Sequence, residues 1–448
     1  MNFAQLLEMA EEGNADAQYA IGSVYLKGEG VTQDFSVAFE WISKAAHQGV
    51  IDAQHDLALM YENGDGTEQD IKATLYWLTK AANQGDVNAQ FLLGSYYRVG
   101  EDRGVAHNYP LAKYWLLEAA KQGDSDAQYQ LGCMYAYDEI EDGTTAEAAK
   151  WLKLSADQGN DDAQLLFGIF LKDGEGVSKN PALAVKYIAA SAKQGNTEAQ
   201  FNLGCLLREG IGCQQNFSRA IYWFKQAAKQ GHDEALYNLA IMYGNGEGTK
   251  CDYARAVGIY KQLAGKGLTE AQYNLGVCYL NGTGVSQDVR KAIALFESTA
   301  EKGDVSSQYN LGIIYGQGSG VPVDLEKARK WFMLAADQGD EEAAQKVQEI
   351  DMILEHNKGT GRSGCYIATA VYGSYDCPQV WIMRRYRDDI LSNTWHGRLF
   401  IKLYYTFSPA CVKLWGDMEW FQNFWRNRLD KFIIELKKRG FKDTPYSD

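Results

Sequence analysis

Ten glycines divide most of this chain into equal periods: Gly13, Gly49, Gly85, Gly123, Gly159, Gly195, Gly231, Gly267, Gly303 and Gly339. Every interval is 36 residues except Gly85 to Gly123, which is 38. Four residues after most of these glycines stands Ala, usually followed by Gln. Self-similarity at this period means an array of small units, each too small to bury its own apolar face and each stacking on its neighbours.

Each period reads as two helices. In the eighth, Ala271, Leu275, Gly276 and Tyr279 fall on one helical face. Gly282-Thr283-Gly284 then supplies a turn that needs positive φ. The second helix shows Ala, aromatic residues and then paired Ala, as in Ala220, Trp223, Ala227 and Ala228, and closes on Gln-Gly or Lys-Gly. One position inside the first helix is always Gly or Ala (Gly22, Ala58, Gly94, Gly276, Gly312 among them). A mid-helix Gly costs about 1 kcal/mol against Ala, so close helix approach must offset it. The spacing predicts that Ala38, Ala112, Ala220 and their equivalents face it.

The run Ala271-Gln272-Tyr273-Asn274-Leu275-Gly276, with Tyr279, Gly282-Thr283-Gly284-Val285 and Lys291-Ala292, resembles a Sel1-like repeat. Nine repeats would cover about residues 13–338, with a half repeat at each end. Repeat four departs, with Asp138 in place of the turn Gly. The resemblance implies an all-α fold, a right-handed α-solenoid related to tetratricopeptide repeats, acting as an adaptor for other proteins without catalysis of its own. A β-lactamase reading attached to some relatives of this kind lacks support. The cysteines do not recur as a pair per period, and no Ser-x-x-Lys occurs. Eight unpatterned Cys, and a start without a basic segment or long apolar run, predict a reducing cytoplasm.

Charge separates two regions. The chain carries a formal charge of −14, yet residues 357–448 hold 15 Lys and Arg against 9 Asp and Glu. That segment also contains 18 aromatic residues, including five of the eleven Trp. The expected organisation is therefore a solenoid over 1–356, a linker over 357–364 and a basic, aromatic-rich helical domain over 365–448. The linker spells G-x-G-x-x-G, but it follows a helix and not a strand, so dinucleotide binding is set aside. The sequence contains no cofactor or metal motif.

The array offers one candidate site for a protein or peptide partner. The sixth position after the period Gly is mostly aromatic and the seventh is Asn in four successive repeats. Tyr237, Asn238, Tyr273, Asn274, Tyr309 and Asn310 form a row that could grip an extended peptide, amides to its backbone and rings over its side chains. The alternative is that rings and amides pack one repeat on the next.

The C-terminal region begins Cys365-Tyr366-Ile367-Ala368-Thr369-Ala370-Val371-Tyr372-Gly373-Ser374 and continues through Met383-Arg384-Arg385-Tyr386-Arg387-Asp388. Over 365–412 it is similar to the CFI-box domain, which implies a bacterial source and a portable module without an assigned activity. Val380, Met383, Tyr386 and Ile390 fall on one helical face with Arg384, Arg385 and Arg387 mainly outside it. Leu414, Met418, Phe421, Trp425, Leu429, Phe432 and Leu436 predict a long amphipathic helix. Its stripe reads first as core, second as a partner or peripheral membrane surface, third as a nucleic-acid contact. Cys365, after Gly364 and near Arg362, is the candidate nucleophile of a thiol-dependent enzyme. A small buried residue is the competing reading.

Overall fold

Helix follows helix from Phe3 onward in the computed structural model, which describes residues 3–137, 139, 143–359, 378–391, 393–394 and 419–441. After α1 (Phe3–Glu11), the first helices of the repeats are α2 (Ala15–Lys27), α4 (Ile51–Asn63), α6 (Val87–Val99), α8 (Ser125–Ala136), α10 (Asp161–Asp173), α12 (Thr197–Glu209), α14 (Asp233–Asn245), α16 (Thr269–Asn281) and α18 (Val305–Gln317). The second helices are α3 (Phe35–His47), α5 (Ile71–Asn83), α7 (Tyr109–Lys121), α9 (Thr145–Asp157), α11 (Pro181–Gln194), α13 (Phe217–Lys229), α15 (Tyr253–Gly265), α17 (Val289–Ala300) and α19 (Leu325–Ala336). Then come α20 (Glu341–Gly359), α21 (Pro378–Tyr386) and α22 (Glu419–Lys438). Among the described residues there is no strand, and the fold is an all-α repeat solenoid. The chain forms two compact units, Met1–Cys251 and Asp252–Asp448, so the division falls inside the repeat array, just ahead of α15.

Local chemistry sets the helix ends. Asp34 accepts hydrogen bonds from the backbone N–H groups of Ser36 and Val37, and Asn160 accepts from that of Ala163. These are N-caps that satisfy otherwise orphaned donors. First helices end on Gly in the left-handed region, as at Gly28, Gly64 and Gly210. The two extra residues between Gly85 and Gly123 are taken up by a 3-10 turn, Gly100–Arg103.

The mid-helix glycines do mark close approach: the carbonyl of the expected Ala38 would lie 3.2 Å from a Cβ on Gly22, and that of Ala184 3.2 Å from one on Gly168, but the tightest contact is with a second residue. A Cβ on Gly22 would lie 2.5 Å from Ile42 Cγ1, and one on Gly276 would lie 2.7 Å from Phe296 Cε1. Each opposing side chain stands one helical turn beyond the expected Ala. Small Ala and vacant Gly together admit one large, fully buried side chain such as Leu116 or Phe224. Burying such a side chain contributes about 1.5–3 kcal/mol.

A ladder of buried glutamines ties the repeats together. Gln54 donates through Nε2 to the Ala46 carbonyl (3.1 Å), and Gln84 donates to both Gln54 Oε1 (2.8 Å) and the Gly49 carbonyl (3.3 Å). The same arrangement recurs at Gln18 with Gln48, Gln90 with Gln122, Gln164 with Gln194 and Gln200 with Gln230. The Gln54 amide is a second donor to the Ala46 carbonyl, which also accepts from the Gly49 N–H at 3.0 Å, so the pair links its repeat to the helix end of the previous one.

In the second unit, α20 lies over the last repeat. Ala343 and Ile350 are buried with Phe332 and Ala335, and Val347, Leu354 and Trp331 are partly buried around them. The helix runs to Gly359, three residues into the segment 357–364 that the sequence reading assigned to a linker. Nearer the C-terminus, Val380 and Ile382 of α21 pack with Leu429, Ile433 and Leu436 of α22, flanked by Met383, Tyr386, Trp425 and Phe441. The predicted wheel of α21 needs correcting. Arg384 and Arg387 are only 4% and 6% exposed, whereas Ile390, on the π-helical turn Arg387–Leu391, is 46% exposed. A change of helix type rotates the residues that follow it away from an α-helical face.

Candidate partner-binding row

The sixth and seventh positions of the first helices sit half-buried beside the buried Ala, Gln and Leu of the same helix. Their first contacts are with neighbouring repeats. Tyr19 donates from its hydroxyl to Asp56 Oδ2 (2.9 Å), and His55 Nδ1 lies 2.8 Å from Asp86 Oδ2. Phe201 stacks on His232 at 4.6 Å.

Within the first unit, Asn238 accepts from Arg208 Nη1 (3.1 Å) and donates to the Glu234 carbonyl (2.9 Å). Arg208 also holds Glu247 in a two-point ion pair, Nε to Oε2 at 2.7 Å and Nη2 to Oε1 at 3.1 Å. Arg98 repeats the device on Glu139. Tyr237 is half-buried next to Asn238.

Within the second unit, Asn310 donates to the Tyr273 hydroxyl (3.3 Å), so the structure joins one amide and one ring of the row directly. Tyr309 donates to Glu342 Oε1 (2.5 Å) and meets Phe332 edge to face at 5.4 Å. That hydrogen bond to a carboxylate pushes the Tyr309 phenol up to about 12. Asn274 is half-buried beside Tyr273. These side chains are held in place by neighbours while keeping part of their surface in solvent, which is the condition for a pre-organised contact surface.

Groups of the N-terminal repeats are shifted as well. The hydrogen bond to Asp86 raises His55 above its ordinary value of 6.5, ahead of the opposing effect of burial. Burial works to raise the Asp86 carboxyl, but the bonds from His55 and the backbone hold it below the usual carboxylate range. Burial pushes Asp56 up.

Cys365, Cys377 and His396 lie outside the described residues, as does Asp138 of the fourth repeat. Among the described cysteines, Cys133, Cys205, Cys213, Cys251 and Cys278 are free thiols. Burial pushes Cys205 up to about 11, which disfavours the thiolate that a nucleophile needs. Among the described residues no cluster of His, Cys, Asp and Glu could hold a metal ion, and no helix is long and apolar enough to cross a membrane. Sequence reasoning missed the glutamine ladder and the two arginine clamps. Their signal was present as residue types recurring at fixed places in the period.

The Sel1 repeat model matches nine consecutive segments: residues 15–50, 51–86, 87–124, 125–160, 161–196, 197–232, 233–268, 269–304 and 305–340. The comparison with curated proteins returns no match. Among solved structures, a protective antigen present in uropathogenic Escherichia coli strains and displaying an SLR fold is 28% identical. The match covers 100% of this chain and 98% of that one, with a TM-score of 0.68. A Sel1 repeat protein from Oxalobacter formigenes is 29% identical over 78% of this chain and 89% of its own, with a TM-score of 0.39. With its period, its glycine-dependent packing and nine matched repeats in succession, this chain belongs to the Sel1 repeat family.

Proposed function

We propose that this protein is a cytoplasmic adaptor that binds a protein or peptide partner through the first-helix row of its repeats. Tyr273, Asn274, Tyr309 and Asn310 are the contact residues of the second unit, and Tyr237 and Asn238 are the corresponding pair of the first. The observation that carries the reading is the state of these side chains: all six are half-buried at a constant period, Asn238, Tyr273 and Asn310 are hydrogen-bonded to an adjacent repeat, and Tyr309 is hydrogen-bonded to Glu342. A partner then meets rigid aromatic and amide groups that lose little conformational freedom on binding. Residues 365–448, with their CFI-box likeness, act as a bacterial C-terminal module that recruits or signals, joined through 357–364.

A photo-crosslinking amino acid placed at Tyr273 or Tyr309 tests this, with the exposed Tyr253 of α15 as the control position. The adaptor reading predicts adducts of defined mass from the row positions in host extract and none from position 253. Adducts from position 253 alone would remove the first-helix row from the function.

A further inference from the structure

Eight of the nine second helices contain no glycine, and α15 contains two, Gly258 and Gly265. The mid-helix glycines of the first helices make room for a packed side chain. These two make room for nothing: neither has a positive φ, and a Cβ on either would meet no atom within 4 Å. Glycine has more backbone freedom to lose on entering a helix than any other residue, so α15 carries a penalty that no contact offsets.

The contacts around α15 are weak at the same place. The position that is Trp in α3, α5, α7, α9, α13 and α19 is Ile259 in α15. The ladder bond from the following repeat, Gln272 Nε2 to the Ala264 carbonyl, is 3.4 Å long, against 3.0–3.2 Å for its equivalents elsewhere in the array. Gln272 takes its second bond from Lys302 at 3.3 Å, where the other rungs have Gln-to-Gln bonds of 2.7–3.0 Å. α16 begins at Leu268 with no side-chain cap and buries only Ala271, Leu275 and Gly276, fewer than any other first helix of the repeats. Its Cys278 is small and partly exposed, where α4 to α14 bury Met60, Tyr96, Met134, Phe170, Leu206 and Met242 at the same position. Toward α17 the packing of α16 is normal, with Gly276 tight against Phe296, so the loss lies on the side of α15.

We propose that α15 is an opening element of the array: it unfolds locally and reversibly while α13 in the first unit and α16 to α19 in the second keep their structure. In a repeat array, local stability is set by the intrinsic stability of each helix and by its nearest-neighbour contacts, and α15 is weak in both. Tyr273 and Asn274 stand on α16, which meets α15 through Gln272. A partner seated on that row favours the closed helix. This consequence alone rests on the adaptor reading, and the opening is measured without a partner.

Hydrogen exchange of the full chain near neutral pH, read by mass spectrometry and normalised to the intrinsic rate of each peptide, measures the opening of each helix. On that scale α15 should exchange at least about tenfold faster than α13 and α17, a difference of about 1.4 kcal/mol. In Gly258→Ala/Gly265→Ala, exchange of α15 should slow by about tenfold while α13 and α17 stay as in wild type. Protection of α15 equal to that of α13 and α17 overturns the proposal. An alanine variant that leaves α15 unchanged, or that slows all three helices alike, overturns it too. Fast exchange of α15 and α17 together also overturns it and assigns the weakness to the whole second unit.

Discussion

Gly276 and Gly258 are both glycines inside helices, yet alanine is expected to act with opposite sign at them. At Gly276 the new methyl would stand 2.7 Å from the buried Phe296 ring, and overpacking of this kind costs about 1–3 kcal/mol. At Gly258, in α15, nothing lies within 4 Å of the new methyl, and the gain in helix propensity is about 1 kcal/mol. Urea melts of the two variants should shift to lower and higher midpoint respectively. Shifts of the same sign would refute the packing argument. His55 makes a second prediction. Its folded pKa is raised above 6.5, so its stabilising contribution is fully present below the unfolded value. That contribution is lost as pH rises through the raised folded value. Asp86 is depressed, so its contribution is present above its ordinary 3.8 and is lost as pH falls through the lowered folded value. The melting temperature of wild type should therefore fall, relative to His55→Asn, as pH rises from about 6 to about 8. A difference independent of pH would show that protonation of His55 adds nothing to stability.

At the scale of elements, the glutamine ladder is expected to behave as a coupled pair. Gln128 donates to the Ala120 carbonyl (3.0 Å) and accepts from Gln158 (2.8 Å). Gln128→Leu alone removes the acceptor of the exposed Gln158 amide and one of the two donors to the Ala120 carbonyl, which keeps its bond from the Gly123 N–H, at a cost of about 0.5–1.5 kcal/mol per bond lost. The seventh repeat carries Leu236 and the chain has Lys266 where the following Gln would stand, a paired replacement written into the sequence. The double variant Gln128→Leu/Gln158→Lys should therefore cost less than the sum of its single changes, and strict additivity in a double-mutant cycle would contradict the ladder. What could be read in advance follows from how far each interaction reaches along the chain. Turns and the two-helix period act within a few residues, and Gly282-Thr283-Gly284 announced the turn. The ladder joins residues 30 apart, so Gln54 and Gln84 were visible only as consensus. The spacing found Ala38 opposite Gly22 but missed Ile42, the tightest contact, because spacing alone cannot say which side chain leans into a gap. Arg384 and Arg387 were placed outside their core because a helical wheel assigns charge to solvent by default.

At the scale of the molecule, the repeats within each unit are held by their neighbours through apolar and Gln contacts, so stability accumulates from one interface to the next. Such a scaffold tolerates variation at exposed positions while fixing the half-buried row of rings and amides. The candidate row was legible as a periodic pattern, and its hydrogen bonds to adjacent repeats were not, because Asn310 and Tyr273 lie in different repeats. The adaptor account is tested most directly by capture from native-host extract with the full chain, comparing wild type with Asn238→Ala/Asn274→Ala/Asn310→Ala and recording the melting temperature of both. The account predicts that a discrete polypeptide retained by wild type is lost from the variant by about tenfold or more, while the melting temperature moves by no more than about 4 °C. Undiminished capture, or a variant that melts far below wild type, would contradict it and assign the amides to packing between repeats.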